Sequence, residues 1–254
     1  MSDHIRIAVS GSYSSGKTTT AEALSVATAI PSTGALTARE LVVELLPGKR
    51  FSELTASELL MLGLRRFEER VQGEAEQPGS RVSDGSVLHE WVYGEARMRV
   101  GINPGAPRAH RFAKRVVGLG ANEAFQRSMD AFGAVAKDRA KRAYDVFIHL
   151  PVEFPMRADG HRPVSEEYRH VCDRLLREVL DELGIPCRVV GGSVGERVTQ
   201  IVELLDLAVE VPIDESVAIA SERIARSRDM TAERQLAGQA PPTLRRRIRA
   251  ATHY

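Results

Sequence analysis

The 254-residue chain predicts an α/β domain of three layers built on a mainly parallel, five-stranded sheet, followed by a helical, basic tail. Three observations carry that prediction. The apolar alternation Ile5-Arg-Ile7-Ala8-Val9 runs directly into Gly11-Ser-Tyr-Ser-Ser-Gly16-Lys17-Thr18. Short apolar runs then alternate with segments of helical period, as crossover connections between parallel strands require. Finally, the length suits one domain of roughly 200 residues with an appendage.

Gly11–Thr18 fits Gly-x-x-x-x-Gly-Lys-[Ser/Thr], the phosphate-binding loop, after a strand and opening a helix. Gly11 and Gly16 let the backbone turn so that successive N–H groups converge on one anion. The first turn of the helix adds its unpaired amides and its dipole. Lys17 is expected at the β- and γ-phosphates, and the Thr18 hydroxyl on Mg²⁺. Ser12, Ser14, Ser15 and Thr19 complete the nucleotide-binding set, Thr19 and Thr20 also suiting local packing and capping. This is the P-loop NTPase architecture, with ATP and Mg²⁺ as the implied ligands.

The remaining elements follow in order. Ile5–Ser10 reads as a buried strand and Lys17–Val26 as the first helix. Ala27–Ile30 reads as a short second strand ending at Pro31, and Thr37–Leu46 as a helix stopped by Pro47-Gly48. Thr55-Ala-Ser-Glu58 is a capping box, opening a helix with Leu60, Leu64, Phe67 and Val71 as its core stripe. Arg81–Gly85 reads as a short strand ending in an acid and a turn, with Ser86 capping a helix to about Val100. Trp91 and Tyr93 on that helix suit packing or a stacking platform. Between Glu95 and Arg115 six basic residues face one acid, which reads as a solvated face or a positive rim over the phosphates. Asn122–Tyr144 is a long polar helix, and Asp145–Leu150 a buried strand. Ser165 caps a helix with Val171, Leu175, Leu176, Val179, Leu180 and Leu183 as its apolar face, ended by Gly184. Cys187–Val190 is the last strand and Glu196–Val209 the last helix of the domain. The domain is expected to span residues 1–210. A helical, Arg-rich extension follows over 211–254, with a helix at Asp214–Arg228 and Arg245–Arg249 in its tail.

A formal net charge of +1 makes no general case for nucleic acid, which only the basic tail could engage; eight Arg face five acids from Ile213 onward. Cys172 and Cys187 have no CxxC spacing and read as structural thiols. No leader pattern or membrane-length apolar run is present, so a cytoplasmic protein without a membrane partner is expected. An oligomer is left open. The histidines show no metal-ligand spacing.

No Asn-Lys-x-Asp guanine motif accompanies the loop, and Val82-Ser83-Asp84 is too short for the apolar run and acid of large ATPase modules. A small-molecule kinase remains, needing an acid near the acceptor hydroxyl and arginines around the transferring phosphoryl group.

The order Ile5–Thr18, Ala38-Arg39-Glu40, Ser83-Asp84, Tyr144–Ile148, Asp159-Gly160-His-Arg162 and Val190-x-Gly192…Arg197 resembles the P-loop kinase-like ATPases. Within them it is similar to those related to the ribosylnicotinamide kinase domain of the bacterial NAD regulator protein. The resemblance covers about Arg6–Leu207. It implies Arg162 as a lid arginine at the phosphates, shaped by Asp159 and Gly160, and Arg197 among the nucleotide contacts. Arg39 and Glu40 match a pair near the acceptor pocket, and Asp84 is implied as general base or magnesium-shell acid. Two positions depart from the pattern. Gly85 stands where relatives often have arginine, and Ala35 and Leu36 replace an acid before the Arg-Glu pair. The expected activity is ATP:Mg²⁺-dependent transfer of the γ-phosphoryl to a hydroxyl of a nucleoside-like small molecule. The alternative is a nucleotide-dependent regulatory or assembly ATPase acting on a protein or nucleic-acid partner.

Overall fold

The structure, a computed structural model, describes residues 4–49, 53–101, 119–154 and 165–238. Its sheet holds β1 (Arg6–Gly11), β2 (Ser32–Thr33), β3 (Arg81–Asp84), β4 (Val146–Leu150) and β5 (Cys187–Val189). Every pairing is parallel, and the order is β2-β3-β1-β4-β5. The helices are α1 (Lys17–Thr28), α2 (Ala38–Leu45), α3 (Ala56–Glu76), α4 (Val87–Val100), α5 (Leu119–Ala143), α6 (Glu166–Leu183), α7 (Val194–Leu205) and α8 (Ile213–Gly238).

Strand alternation sorts the core into two layers. Ile7, Val9, Ile148 and Leu150 pack with Leu24 of α1, Val198 of α7 and Ala220 of α8. Ala8 and Phe147 point the other way, into Val92 of α4, Ala140 of α5 and Leu176 of α6. A small third cluster joins Leu41 and Val42 of α2 to Leu54 and Leu62. The predicted three-layer architecture is thus present.

Register places the chemistry. Val9 pairs with Asp84 and Gly11 with Leu150, so the phosphate loop and Asp84 share the carboxyl edge of adjacent strands. In parallel sheets that edge, where neighbouring connections diverge, is where ligands bind. Local signals start the helices there: capping boxes at Thr37/Glu40, Thr55/Glu58 and Ser193/Glu196, and the Ser165 hydroxyl on Tyr168 N.

Several boundaries differ from expectation. Ala27–Ile30 is not the second strand. α1 continues to Thr28 because Leu24, Ala27 and Thr28 bury at helical spacing, and Ala29 closes it with φ 55°. Pro31 precedes β2 and offers its carbonyl to Val82 N. The predicted stripe of α3 is only partly internal, with Leu64 exposed. The buried positions are Leu62, Arg70 and Glu74, because this face meets polar partners from β3 and α4. α7 begins two residues earlier than expected, at its Ser193 cap, and ends at Leu205. Beyond the turn at 206–212, α8 lies along α1. Ile213, Val217 and Ala220 join the core there, and Arg223 pairs with Glu22 at 2.7 Å. Arg245–Arg249 lie outside the described residues.

Candidate active site

The phosphate loop takes the shape its residues allow. Gly11 has φ 144°, and a Cβ there would lie 2.5 Å from Leu150 O. Gly16, with φ 92°, caps α1 in the left-handed region, and Ser14 also has positive φ (57°). The turn therefore tolerates no side chain at Gly11. Lys17 Nζ donates to Ser12 O at 2.6 Å, lying along the loop it serves. Ser12 and Ser15 are buried within the loop, Thr19 is half-buried, and Thr18 is exposed at the mouth.

Two buried arginines brace the loop from behind. Arg197 of α7, 2% exposed, donates from Nη1 to Ser15 O (2.6 Å) and pairs through Nη2 with Glu153 (2.7 Å). Arg169 of α6 is fully buried and donates from Nε to Tyr13 O (2.9 Å) and from Nη1 to Phe154 O (3.0 Å) and Glu166 (2.9 Å). Both therefore tie the loop to the segment leaving β4. The composition of α6 foretells only the local Glu166 pair; the longer contacts of Arg169 come from packing.

At the mouth, Thr18 Oγ1 donates to Asp84 Oδ2 at 2.8 Å. These two hard oxygens, brought together from α1 and β3, form a donor set suited to Mg²⁺, which takes one or two protein oxygens and completes its shell with phosphate and water. No larger cluster of metal-binding side chains exists among the described residues. Arg70 of α3 reaches the same place. It is 3% exposed, its Nη1 donates to Asp84 O at 2.5 Å, and its guanidinium lies against Gly85. A Cβ at Gly85 would come within 3.1 Å of Arg70 Nη2, so the glycine makes room for an arginine arriving from another helix.

Next to Arg70 lies a cavity of about 60 Å³ between α3, α4 and α5. Tyr13 of the phosphate loop forms one wall, stacked on Tyr93 with ring centroids 4.3 Å apart. Glu90, buried, takes Arg66 Nη1 at 3.2 Å and faces Arg70 Nη2 at 3.6 Å. Its Oε1 has no hydrogen-bond partner among the described residues. Burial raises the Tyr13 and Tyr93 phenols above their ordinary range, so both present neutral hydroxyls. The cavity thus has aromatic walls and a small number of buried polar groups, the composition of a small-molecule site, in a volume well below the roughly 300–1,000 Å³ that such sites occupy, so a ring-sized acceptor requires α3, α4 and α5 to part.

A family model described as an AAA domain matches residues 6–197. The chain belongs to the AAA domain family. No curated protein matches it in sequence. Among solved structures, deoxyadenosine kinase from M. mycoides with bound dATP superposes with TM-score 0.53 at 14% identity, over 80% of this chain and 100% of that one. The same kinase with bound dCTP gives TM-score 0.52 at 13% identity, over 80% and 99%. The NadR protein in complex with NR gives TM-score 0.53 at 16% identity, over 82% of this chain and 53% of that one. These likenesses establish the P-loop kinase-like fold.

Of the acceptor-pocket and lid residues expected from the sequence, Glu40 is the one whose side chain the structure describes. Glu40 closes the α2 capping box on Thr37 N (2.7 Å) and accepts from Thr231 within α8 (3.0 Å), so its carboxylate serves the α2 cap and the packing of α2 against α8. Arg39 sits in the first turn of α2, its side chain outside what the structure describes. Arg162, with Asp159 and Gly160, falls outside the described residues, as does the basic stretch from Ile102 to Arg115. Arg66, Arg70 and Glu90 were missed. Their helical spacing on α3 and α4 looks like an ordinary charged surface, and only the inward turn of that face gives them away. Cys172 is buried and its thiol is pushed up to about 12 by that burial, which makes it inert. Among the described residues, no helix is long and apolar enough to cross a membrane.

Proposed function

We propose that this protein is an ATP:Mg²⁺-dependent phosphotransferase that moves the γ-phosphoryl group to a hydroxyl of a nucleoside-like small molecule. The observation that carries the reading is the Thr18–Asp84 contact at 2.8 Å, which joins the phosphate loop to an acid beside the cavity of Tyr13, Arg66, Glu90 and Tyr93. The fold shared with a deoxyadenosine kinase supports the same reaction class.

In this reading the loop amides and Lys17 hold the triphosphate, and Asp84 accepts the proton of the acceptor hydroxyl or orients the metal's water shell. Arg70, held against Gly85, fixes the backbone of Asp84 and adds positive charge at the transfer centre. Thr18 and Asp84 would hold Mg²⁺, which supplies charge neutralisation to the phosphates. The Glu90 carboxylate offers an acceptor for O–H or N–H groups, and Tyr13 and Tyr93 offer flat apolar surface to a ring. Arg162 is assigned the lid arginine role and Arg39 a place near the acceptor, on sequence resemblance.

The test is ADP release from ATP with and without a panel of nucleosides. Acceptor-stimulated release is expected, and Lys17→Ala should lower it by two orders of magnitude or more, about 3 kcal/mol for one preorganised donor. Slow hydrolysis indifferent to every nucleoside, and stimulated instead by protein or nucleic acid, would replace this reading with the regulatory ATPase.

A further inference from the structure

α8 reaches further than a prop on α1 needs to. The family model ends at residue 197, and this helix, starting at Ile213, lies beyond the residues it matches. The first half of α8 docks on α1, with Ser216 and Ala220 fully buried and Arg223 paired with Glu22 at 2.7 Å. Roughly 16 Å further along the helix axis, Thr231 meets α2. Its hydroxyl stands 3.0 Å from Glu40 Oε1 and 2.9 Å from Ser227 O. It has one proton for two acceptors, and the carboxylate is the stronger of them. Glu40 Oε2 meanwhile accepts the Thr37 N–H at 2.7 Å, so one carboxylate ties the start of α2 to α8.

α2 is a wall of the cavity. Ala38 lines that space alongside Leu59 and Leu62 of α3, and Leu41 and Val42 bury against Leu54 and Leu62. Positions two apart on a helix are turned by roughly 200°, so with Ala38 on the cavity Glu40 faces the opposite side, where α8 lies. Eight residues make a helix too short to persist alone in water, and α2 is kept in place by packing on α3 and α8. The leucine cluster joins α2 to the start of α3 as one unit. Farther along α3, Arg70 and Glu74 are fixed by Asp84 O, Tyr144 Oη and Ser83 Oγ. A ring-sized acceptor therefore gains room by displacing α2 with the start of α3. That unit can move only by sliding against α8, which breaks the contact at Thr231.

We propose that Thr231 is a positioning residue for the acceptor side of the site: through Glu40 it straps α2 over the closed cavity, and acceptor binding must release that strap. Its hold bears on the acceptor rather than on ATP, because Thr231 bonds α2 and its own helix, whereas the triphosphate site is built on β1, α1 and β3. The acceptor's part in this rests on the kinase reading above, and the strap itself rests on geometry.

The first readout needs no ligand: amide hydrogen exchange of the full chain, followed by mass spectrometry. Thr231→Val keeps the side chain's shape and removes its hydroxyl. The α2 amides from Leu41 to Leu46, bonded within the helix, should then exchange about fivefold faster, as loss of one net hydrogen bond requires. α1 should keep the parent's rates, and Thr231→Ser should keep the parent's rates in α2. Parent-like exchange in α2 of Thr231→Val overturns the proposal. Equal acceleration in α1 and α2 also overturns it, since Thr231 would then be a general prop of α8. The second readout is ADP release stimulated by the most active nucleoside of the panel. Because the strap keeps the open state scarce, Thr231→Val should lower that acceptor's KM by about the same factor, with the KM for ATP held within about twofold. An acceptor KM that rises or stays put defeats the positioning role, whatever the exchange rates. If no nucleoside stimulates release from the parent, the kinase reading fails, and the exchange rates still decide whether α8 straps α2.

Discussion

Arg197→Ala separates a brace from a ligand contact. Sequence resemblance groups Arg197 with the residues touching nucleotide, whereas the structure has it behind the loop, bonded to Ser15 O at 2.6 Å and Glu153 at 2.7 Å. Breaking a buried ion pair from one side costs about 3–5 kcal/mol. Glu153 retains 31% exposure of its side chain and a bond from Gly192 N, which places its share at the low end. The charged bond to Ser15 O adds roughly 1.5–3 kcal/mol, but the two share one guanidinium and do not sum. The expected loss is about 3 kcal/mol, or about 6–12 °C in Tm for a domain of this size. Urea unfolding with unchanged m-value measures it, and calorimetry with Mg²⁺·ADP measures the accompanying fall in affinity as the loop loses its support. Arg197→Lys should recover little, since a point charge cannot reach both anchors in the guanidinium's fork geometry. The reasoning is refuted if Arg197→Ala unfolds at the parent's midpoint while ADP affinity alone collapses. That outcome would make Arg197 a direct nucleotide ligand.

Two further outcomes are expected. Because burial lowers the His89 pKa, the unfolded chain takes up a proton below its ordinary value of about 6.5 while the folded chain does not. Stability from this group is complete above pH 6.5 and falls toward pH 5 by up to about 1.4 kcal/mol per unit. Urea midpoints at pH 7, 6 and 5 should show a shallower decline in His89→Gln, and parallel declines would contradict the burial argument. Ala220→Asp places an unpaired carboxylate in the fully buried contact of α8 with α1, and should cost about 3 kcal/mol or more. Accelerated proteolysis within α8 should accompany that loss, and a parent-like digestion pattern would show that α8 does not depend on that contact.

The fold was legible because its signals are local. Alternation at Ile5–Val9, the capping box at Thr55, the Ser86 cap, and Gly184 after Leu183 each set an element through bonds within a few residues. The second strand was misplaced because Ala27–Ile30 is apolar in either reading, and pairing decided between them: β2 exists by bonding to β3 through Ser32 and Thr33. The stripe of α3 misled for a related reason. Arg70 and Glu74 look solvent-facing by type, yet they turn inward because Asp84 O, Tyr144 Oη and Ser83 Oγ await them.

Sequence alone determined the phosphate loop, since its glycines, lysine and threonine act through backbone geometry that eight consecutive residues supply by themselves. It also determined the strand–helix alternation and hence the layered architecture. Tertiary structure alone decided what surrounds the loop. Arg169 and Arg197 brace it from 156 and 182 residues away, Arg70 fills the space left by Gly85, and Thr18 meets Asp84 across 66 residues. Such contacts carry no periodic mark because a buried charge is stabilised by the partner that chain topology brings to it, and that partner is set by the register of β1 against β3 and β4.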